Sequence, residues 1–493
     1  MATKNAWEKF LSTTRIKDLF ERSNHGNKLD NYERDEVEKD YGRVLFSTPY
    51  RRLADKTQVF PLEKNDSVRT RLTHSGEVAS LARNFGINIA ENLINNLETS
   101  SYSDIRIYIR RIPALLATIG LAHDIGNPPF GHQGEVAIRN WIRKKNIFNA
   151  DFFKSASSKQ ISNYEQMRED YLNFDGNAQT FRVLSRLQIL PDNYGLNLTS
   201  ATLAAMIKYP HSSLNCAKVN KSKFGFFFSE QDIVEKVWEE TGLKEGYRHP
   251  LTYFMEASDD IAYSIVDLED AVKKQIISFD DIIADLSKES SNEAISTLSN
   301  VAKEKNKKYK SINALSHIEV SELSIQRLRA LVMDFMVKAV LEKSKEIDWA
   351  DILETKNLLE ESGIIEISNM SVLCSKLKKI GSSRAYKHPS VTRIELDGYI
   401  VITRLMDFFW ESIINRDNID DIDSERSDPF SKYVYNLISE NYRRIAVSNN
   451  ELPIRYREVQ LLVDMISGMT DSYAVDLYQN LNELRKRYPG KDV

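Results

Sequence analysis

The chain reads as an all-α protein, mainly helical with at most one small hairpin, and three observations point there. Only 18 Gly and 12 Pro punctuate 493 residues, so long stretches run without a helix breaker. Between those breaks apolar residues recur at three- and four-residue spacing, the period of one helix face. Alternating runs of strand type are scarce.

The elements follow in order. HSGEVASLARNFGINIAENLINNL (74–97) sets Val78, Leu81, Phe85, Ile89 and Leu93 along one stripe and predicts an amphipathic helix. LLATIGLA (115–122) predicts a buried helix that closes at His123 and Asp124. The polar ADFFKSASSKQISN (150–163) reads as a surface insertion, and KFGFFFSE (223–230) is the best strand candidate. MEASDDIAYSIVDLEDAVKK (255–274) and SIQRLRALVMDFMVKAVLEK (324–343) return to helical period. Between them the polar 286–310 predicts a linker or insertion separating an N-terminal core, 1–285, from a C-terminal helical region, 311–493. RDNIDDIDSERSD (416–428) predicts a solvated acidic loop.

Composition excludes several classes. With 67 Lys and Arg against 71 Asp and Glu, the net charge is -4, so no global field draws nucleic acid. Two cysteines, Cys216 and Cys374, are too few for a disulfide framework or a thiolate metal site, which predicts a reducing, cytoplasmic setting. The N-terminal stretch has no signal-peptide core. The apolar run IPALLATIGLA is about half of the roughly twenty residues a membrane span needs.

The chemistry concentrates in AHDIGNPPFGHQGE (122–135), which holds two of the eight histidines. His123 and Asp124 are adjacent, so on a helix they diverge by about 100 degrees, yet both reach a metal beside the helix end if other ligands approach from elsewhere. Imidazole with carboxylate suits a borderline or hard divalent ion; the alternative is a His-Asp hydrogen bond at a helix C-terminus. Asp259 and Asp260 sit inside an apolar helical pattern, where a carboxylate pair needs a cation or else serves as a helix cap.

His74, His123-Asp124 and Asp259, in that order, resemble the ligand set of HD-domain metal-dependent phosphohydrolases. RRLADKTQVFPLE (51–63), RTRLTHSGEV (69–78), HDIGNPPFGHQGE (123–135), FDGNAQTFR (174–182), IKYP (207–210) and MEASDDIAYSIVDLEDA (255–271) are similar to the strings of bacterial deoxyguanosine triphosphate triphosphohydrolases. The resemblance runs from about residue 30 to LLVDMISGMTDSYAVD (461–476), and weakens across 275–380 and 415–450.

What the resemblance implies is specific. Residues 1–285 become an HD-domain catalytic core, and 311–493 contribute to the nucleotide site. His74, His123, Asp124 and Asp259 ligate Mn²⁺ or Mg²⁺, with Asp260 outside the ligand set. The ion activates water against the α-phosphate of dGTP, releasing deoxyguanosine and tripolyphosphate. His132 protonates the leaving 5′-oxygen, or attacks as a nucleophile, and Glu135 holds its imidazole. Arg52, Lys56, Arg71 and Lys208 are candidate phosphate cations, with Tyr209 beside Lys208; for Arg52 a surface salt bridge is an equal alternative. Tyr263 lies against the deoxyribose or in the core. Gln58 and Asp267 bond the 3′-hydroxyl, unless Asp267 pairs with a lysine, and Asn177 supports the phosphate or sugar. Tyr386 packs on the base, and Glu395 accepts both donors of the guanine edge. The family also implies a homohexamer. Two rival readings are a broader, nucleotide-activated dNTP triphosphohydrolase and a single-stranded-DNA-responsive binding protein using KVNKSKFGFFF (218–228).

Overall fold

The structure is a computed structural model that describes residues 2–21, 34–60, 62, 65–96, 102–154, 156–157, 160–188, 192–218, 223–289, 292–359, 362–448 and 451–488. Among these the regular elements are helices, and β-pairing is confined to isolated bridges. Among the described residues no helix is long and apolar enough to cross a membrane.

The stripe beginning at His74 forms the helix Arg71–Asn96, and the apolar run before His123 forms Tyr102–Ala122. These two helices run antiparallel with their backbones in near contact. A Cβ on Gly86 would meet Pro113 Cα at 2.6 Å, and one on Gly120 would meet Ala79 Cα at 2.7 Å. Two glycines therefore set both the separation and the register of the pair. The 24-residue helix Pro250–Lys273 packs against both. Its cap is His249, whose Nδ1 accepts from Leu251 N at 3.1 Å while its Nε2 meets Phe10 O at 2.9 Å. Asp259 and Asp260 thus lie mid-helix, and capping does not account for them.

Side chains gather into two apolar cores. One surrounds the two close helices and takes in Phe254, Ile261, Leu298 and Val332; the other joins Trp141, Phe174 and Phe227 to Phe409, Tyr456 and Leu462. Each core draws on residues from both sides of 286–310. That polar stretch itself carries the helix Glu293–Lys310, whose buried Ile295, Leu298 and Ala302 pack toward His317–Ser344 while its lysines face outward. Helical spacing survives there within a composition that reads as linker.

The hairpin expected at 223–230 does not form. Phe226 makes one isolated bridge with Ser212, and Phe228–Glu230 is a short 3₁₀ turn. The alternation has another cause: Phe226 enters the first core while Phe224 and Phe227 enter the second. The same burial removes these rings from any base-stacking role, and residues 219–222 of the proposed DNA-binding stretch lie outside the described residues.

Candidate metal centre and the cavity beside it

Antiparallel register between the Gly86 and Gly120 helices brings the start of one to the end of the other. His74 and His123 meet there with ring centroids 5.5 Å apart. From the third helix Asp259 enters, its Oδ1 lying 3.1 Å from His74 Nε2 and 3.7 Å from His123 Nε2. One donor atom from each of the three side chains lies within 4.8 Å of the others. That spread is about twice a metal–ligand bond of roughly 2.1 Å, so a single ion fits between them.

Protonation favours the same use. His123 Nδ1 lies 2.8 Å from Gly120 O, and a carbonyl only accepts, so Nδ1 carries the hydrogen and Nε2 presents a lone pair. That Nε2 is buried with no hydrogen-bond partner, as is His74 Nδ1. Burial alone would raise the pKa of Asp259, but His123 and His74 hold it far below the usual carboxylate range. In return, although burial opposes the charge on His74, the bond to Asp259 raises its pKa. The buried His74 imidazole, the orphaned Nε2 of His123 and a carboxylate kept ionised fit a divalent cation.

Asp124 stands at the edge of this group. Its Oδ2 is 3.6 Å from His123 Nε2 and bonds Arg71, and its Oδ1 accepts from Asn127 Nδ2 at 2.6 Å. Burial raises its pKa, but Arg71, then His123 and His74, bring it below the ordinary value. Asp260 points to Lys378, 2.8 Å away, and takes no part in the cluster.

The turn after Asn127 builds the opposite wall. Phe130 and Gly131 both have left-handed backbone, φ 60° and 53°. A Cβ on Gly131 would lie 2.5 Å from the Arg71 guanidinium, so glycine lets Arg71 pass beneath. His132 follows at the start of the helix Gly131–Lys145, with 74% of its side chain exposed. Its Nδ1 is 3.0 Å from Glu135 Oε2, and Glu135 Oε1 accepts from Gly176 N at 2.8 Å. The glutamate therefore fixes the ring and is itself fixed.

His132, His123, Asp124 and Asp259 line one cavity of about 200 Å³, with His74 buried behind it. Arg71, Lys208 and Lys223 supply its cations, and Asn177 and Tyr209 its neutral polar groups. Lys208 lies 3.4 Å from Glu256 and 5.8 Å from the centroid of the Tyr209 ring; Lys223 lies 5.5 Å from the same centroid. Burial would lower the pKa of Lys208, but Glu256 raises it overall, so the ammonium stays charged. Lys223 and Asp175 were not among the sequence candidates. Asp175 caps the helix Gly176–Ser185 and binds Asn177 Nδ2 at 2.7 Å; burial and neighbouring Glu135 push it up to about 6. Only its place next to Gly-Asn in FDGNAQ could have marked it.

The remaining expected residues do not line that cavity. Tyr263 and Tyr386 face each other with centroids 6.2 Å apart, and Tyr386 donates to Asp267 Oδ2 at 2.5 Å. Asp267 Oδ1 and Gln58 Oε1 are buried without partners, and burial pushes Asp267 up to about 7. Glu395 stands elsewhere, bonded to Gln133 and beside His132, with burial raising its pKa. Arg52 reaches Tyr442 OH at 3.4 Å. Lys56 is no phosphate ligand here: its ammonium is buried on the carbonyls of Asn127, at 2.6 Å, and Ser467, at 2.7 Å.

Known proteins share this plan. The HD domain family matches residues 71–169, which include His74, His123, Asp124, His132 and Glu135. A deoxyguanosinetriphosphate triphosphohydrolase-like protein of Listeria monocytogenes is 38% identical over 459 residues, covering 92% of this chain and 94% of its own. A protein of the same description from Synechocystis is 32% identical, covering 96% and 98%. The deoxyguanosinetriphosphate triphosphohydrolase of Serratia proteamaculans is 30% identical, covering 90% and 93%. With two buried imidazoles and a carboxylate converging on one point, and with relatives matched along nearly their full length, the chain belongs to the deoxyguanosinetriphosphate triphosphohydrolase family of HD-domain metal-dependent hydrolases.

Proposed function

We propose that this protein hydrolyses dGTP to deoxyguanosine and inorganic tripolyphosphate. The observation that carries the reading is that His123 and Asp259, with His74 buried behind them, share one cation-lined cavity with the His132–Glu135 pair. The Serratia relative bears the name of this activity. His74, His123, Asp124 and Asp259 would hold Mn²⁺ or Mg²⁺, which when bound supplies a Lewis acid and a water acidic enough to act near neutral pH.

The chain's own residues do the rest. Water oxygen joins the α-phosphorus, the bond to O5′ breaks, and His132 Nε2 gives that oxygen its proton. Glu135 accepts from Nδ1 and so keeps the ring aimed. Arg71, Lys208 and Lys223 face the phosphates with Tyr209 and Asn177, and Arg52 lies toward their outer end. Tyr263 covers the deoxyribose, and of the unpartnered oxygens of Gln58 and Asp267 one accepts from the 3′-hydroxyl. Tyr386 and Glu395 meet the base. A cytoplasmic homohexamer completes the reading; Leu396 and Ile400, 59% and 42% exposed one helical turn apart, support an apolar contact between copies.

The test is purified protein with Mn²⁺ and each dNTP, singly and mixed, followed by chromatography of the phosphate products. Tripolyphosphate from dGTP alone is the expected result. Pyrophosphate or orthophosphate as first product would overturn the reading. Turnover only in mixtures would favour the nucleotide-activated rival.

A further inference from the structure

We propose that Asp471, acting with Lys56, is the positioning clamp that holds the Asn127–Gly131 turn and so aims His132. The proposal rests on the reading of His132 as proton donor.

The turn needs outside support. Phe130 adopts φ 60°, a left-handed conformation that side chains with a Cβ rarely take, and the chain continues through Gly131 at φ 53° directly into His132. Within the turn, Gly131 N donates to Pro128 O at 3.1 Å, and the two prolines have no N–H to give. The Phe130 N–H points to Asp471 Oδ1 at 2.9 Å, a buried bond across 341 residues of sequence. A second bond grips the other end, where Lys56 Nζ donates to Asn127 O.

Both clamp residues are anchored in their turn. Asp471 opens the helix Asp471–Arg487, and its Oδ2 accepts from Thr57 N at 3.0 Å and Thr57 Oγ1 at 2.5 Å. Lys56 Nζ also binds Ser467 O, the last residue of the helix Ile454–Ser467. Lys56 O accepts from Arg71 N at 2.9 Å. Residues 56–57 therefore tie the root of the His74 helix, the His132 turn and the C-terminal helices together. Lys56 and Asp471 are 3% and 1% exposed, so water does not compete for these bonds. Neither side chain lines the cavity, and each acts through the turn.

Asp471→Asn is the direct test. One carboxamide cannot accept from both Phe130 N and Thr57 N, because one of its ends is a donor. The expected result is a fall in kcat of roughly ten- to a hundredfold, the range for losing a supporting partner, with KM for dGTP and bound Mn²⁺ unchanged. In a His132→Ala background the same substitution should cost nothing further. Equal fold-losses in both backgrounds, or an unchanged kcat, would overturn the clamp. Thr57→Val removes one donor to Asp471 without changing shape, and should reproduce the pattern at smaller amplitude should Asp471→Asn fold poorly. Amide exchange supplies a readout without substrate: residues 130–133 should exchange faster in either variant. Absence of tripolyphosphate from the wild type would refute the proposed function, whereas unchanged exchange at Phe130 would refute the clamp.

Discussion

Buried charge appears twice in this molecule, and the two places use it differently. In the second core Arg182, 1% exposed, gives Nε and Nη2 to Asp464 and Nη1 to Glu230, at 2.9, 2.6 and 2.6 Å. Gln179 adds a bond to Asp464 and Ser229 one to Glu230, both at 2.9 Å. Each guanidinium nitrogen finds a carboxylate, and the charges answer one another. Around His74 and His123 the polar groups are less uniformly buried, and His74 Nδ1 and His123 Nε2 have no hydrogen-bond partner. Burial that pairs every guanidinium nitrogen with a carboxylate holds structure together, while an open imidazole lone pair beside a second histidine and an ionised carboxylate prepares a place for something else. One helix, Gly176–Ser185, carries both kinds: Asn177 at the cavity and Arg182 in the network.

The contrast can be broken at its strongest point. Asp259→Ala should drop turnover to background and remove bound metal, while thermal unfolding stays near that of the wild type. Metal analysis after gel filtration checks this, and a variant that retains both metal and rate defeats the assignment. His132→Ala should keep metal and nucleotide yet lose roughly two to four orders of magnitude in kcat; a rise in KM at constant kcat would instead make His132 a binding residue.

Arg182→Met should invert the pattern. It leaves Asp464 and Glu230 buried without their cation, a cost of about 3–5 kcal/mol in stability. Activity per folded molecule should stay close to normal, as urea unfolding paired with active-metal counting would reveal. The mildest test uses pH. Asp170, fully buried, has its pKa pushed up to about 7 by burial, against the opposing bonds from Ser213, Phe228 N and Tyr456. The folded chain then keeps a proton that the unfolded chain releases near pH ~3.9. Its stabilisation is full below that value, falls as pH rises to about 7, and stays flat above. Asp170→Asn should remove a slope of at most about 1.4 kcal/mol per pH unit. Parallel melting curves for the two proteins between pH 5 and 8 would show that Asp170 is ionised throughout.

The fold was legible where periodicity is local. The stripes at 74–96, 255–273 and 324–343 are all helices, and the helical class needed nothing beyond them. It failed at KFGFFFSE, because alternation records burial on two sides without saying that the partner is a sheet. The candidate metal cluster was legible through the resemblance carried by His74, His123-Asp124 and Asp259, since rare histidines and mid-helix carboxylates alone left a plain His-Asp hydrogen bond or a helix cap open. Lys56 and Asp471 were not, since each is defined by partners brought from far away in sequence. Glu395 and Tyr386 illustrate the same limit: nine residues apart, they bond Gln133 and Asp267 respectively.

The span between the ligands and the clamp also orders events in time. All four proposed ligand residues have been synthesised once Asp259 leaves the ribosome, but Asp471 comes much later. At ~5–20 residues per second the interval is about 10–40 s. During it the turn bearing His132 still lacks Asp471, so on the proposed clamp the proposed proton donor is the last part of the site to be seated.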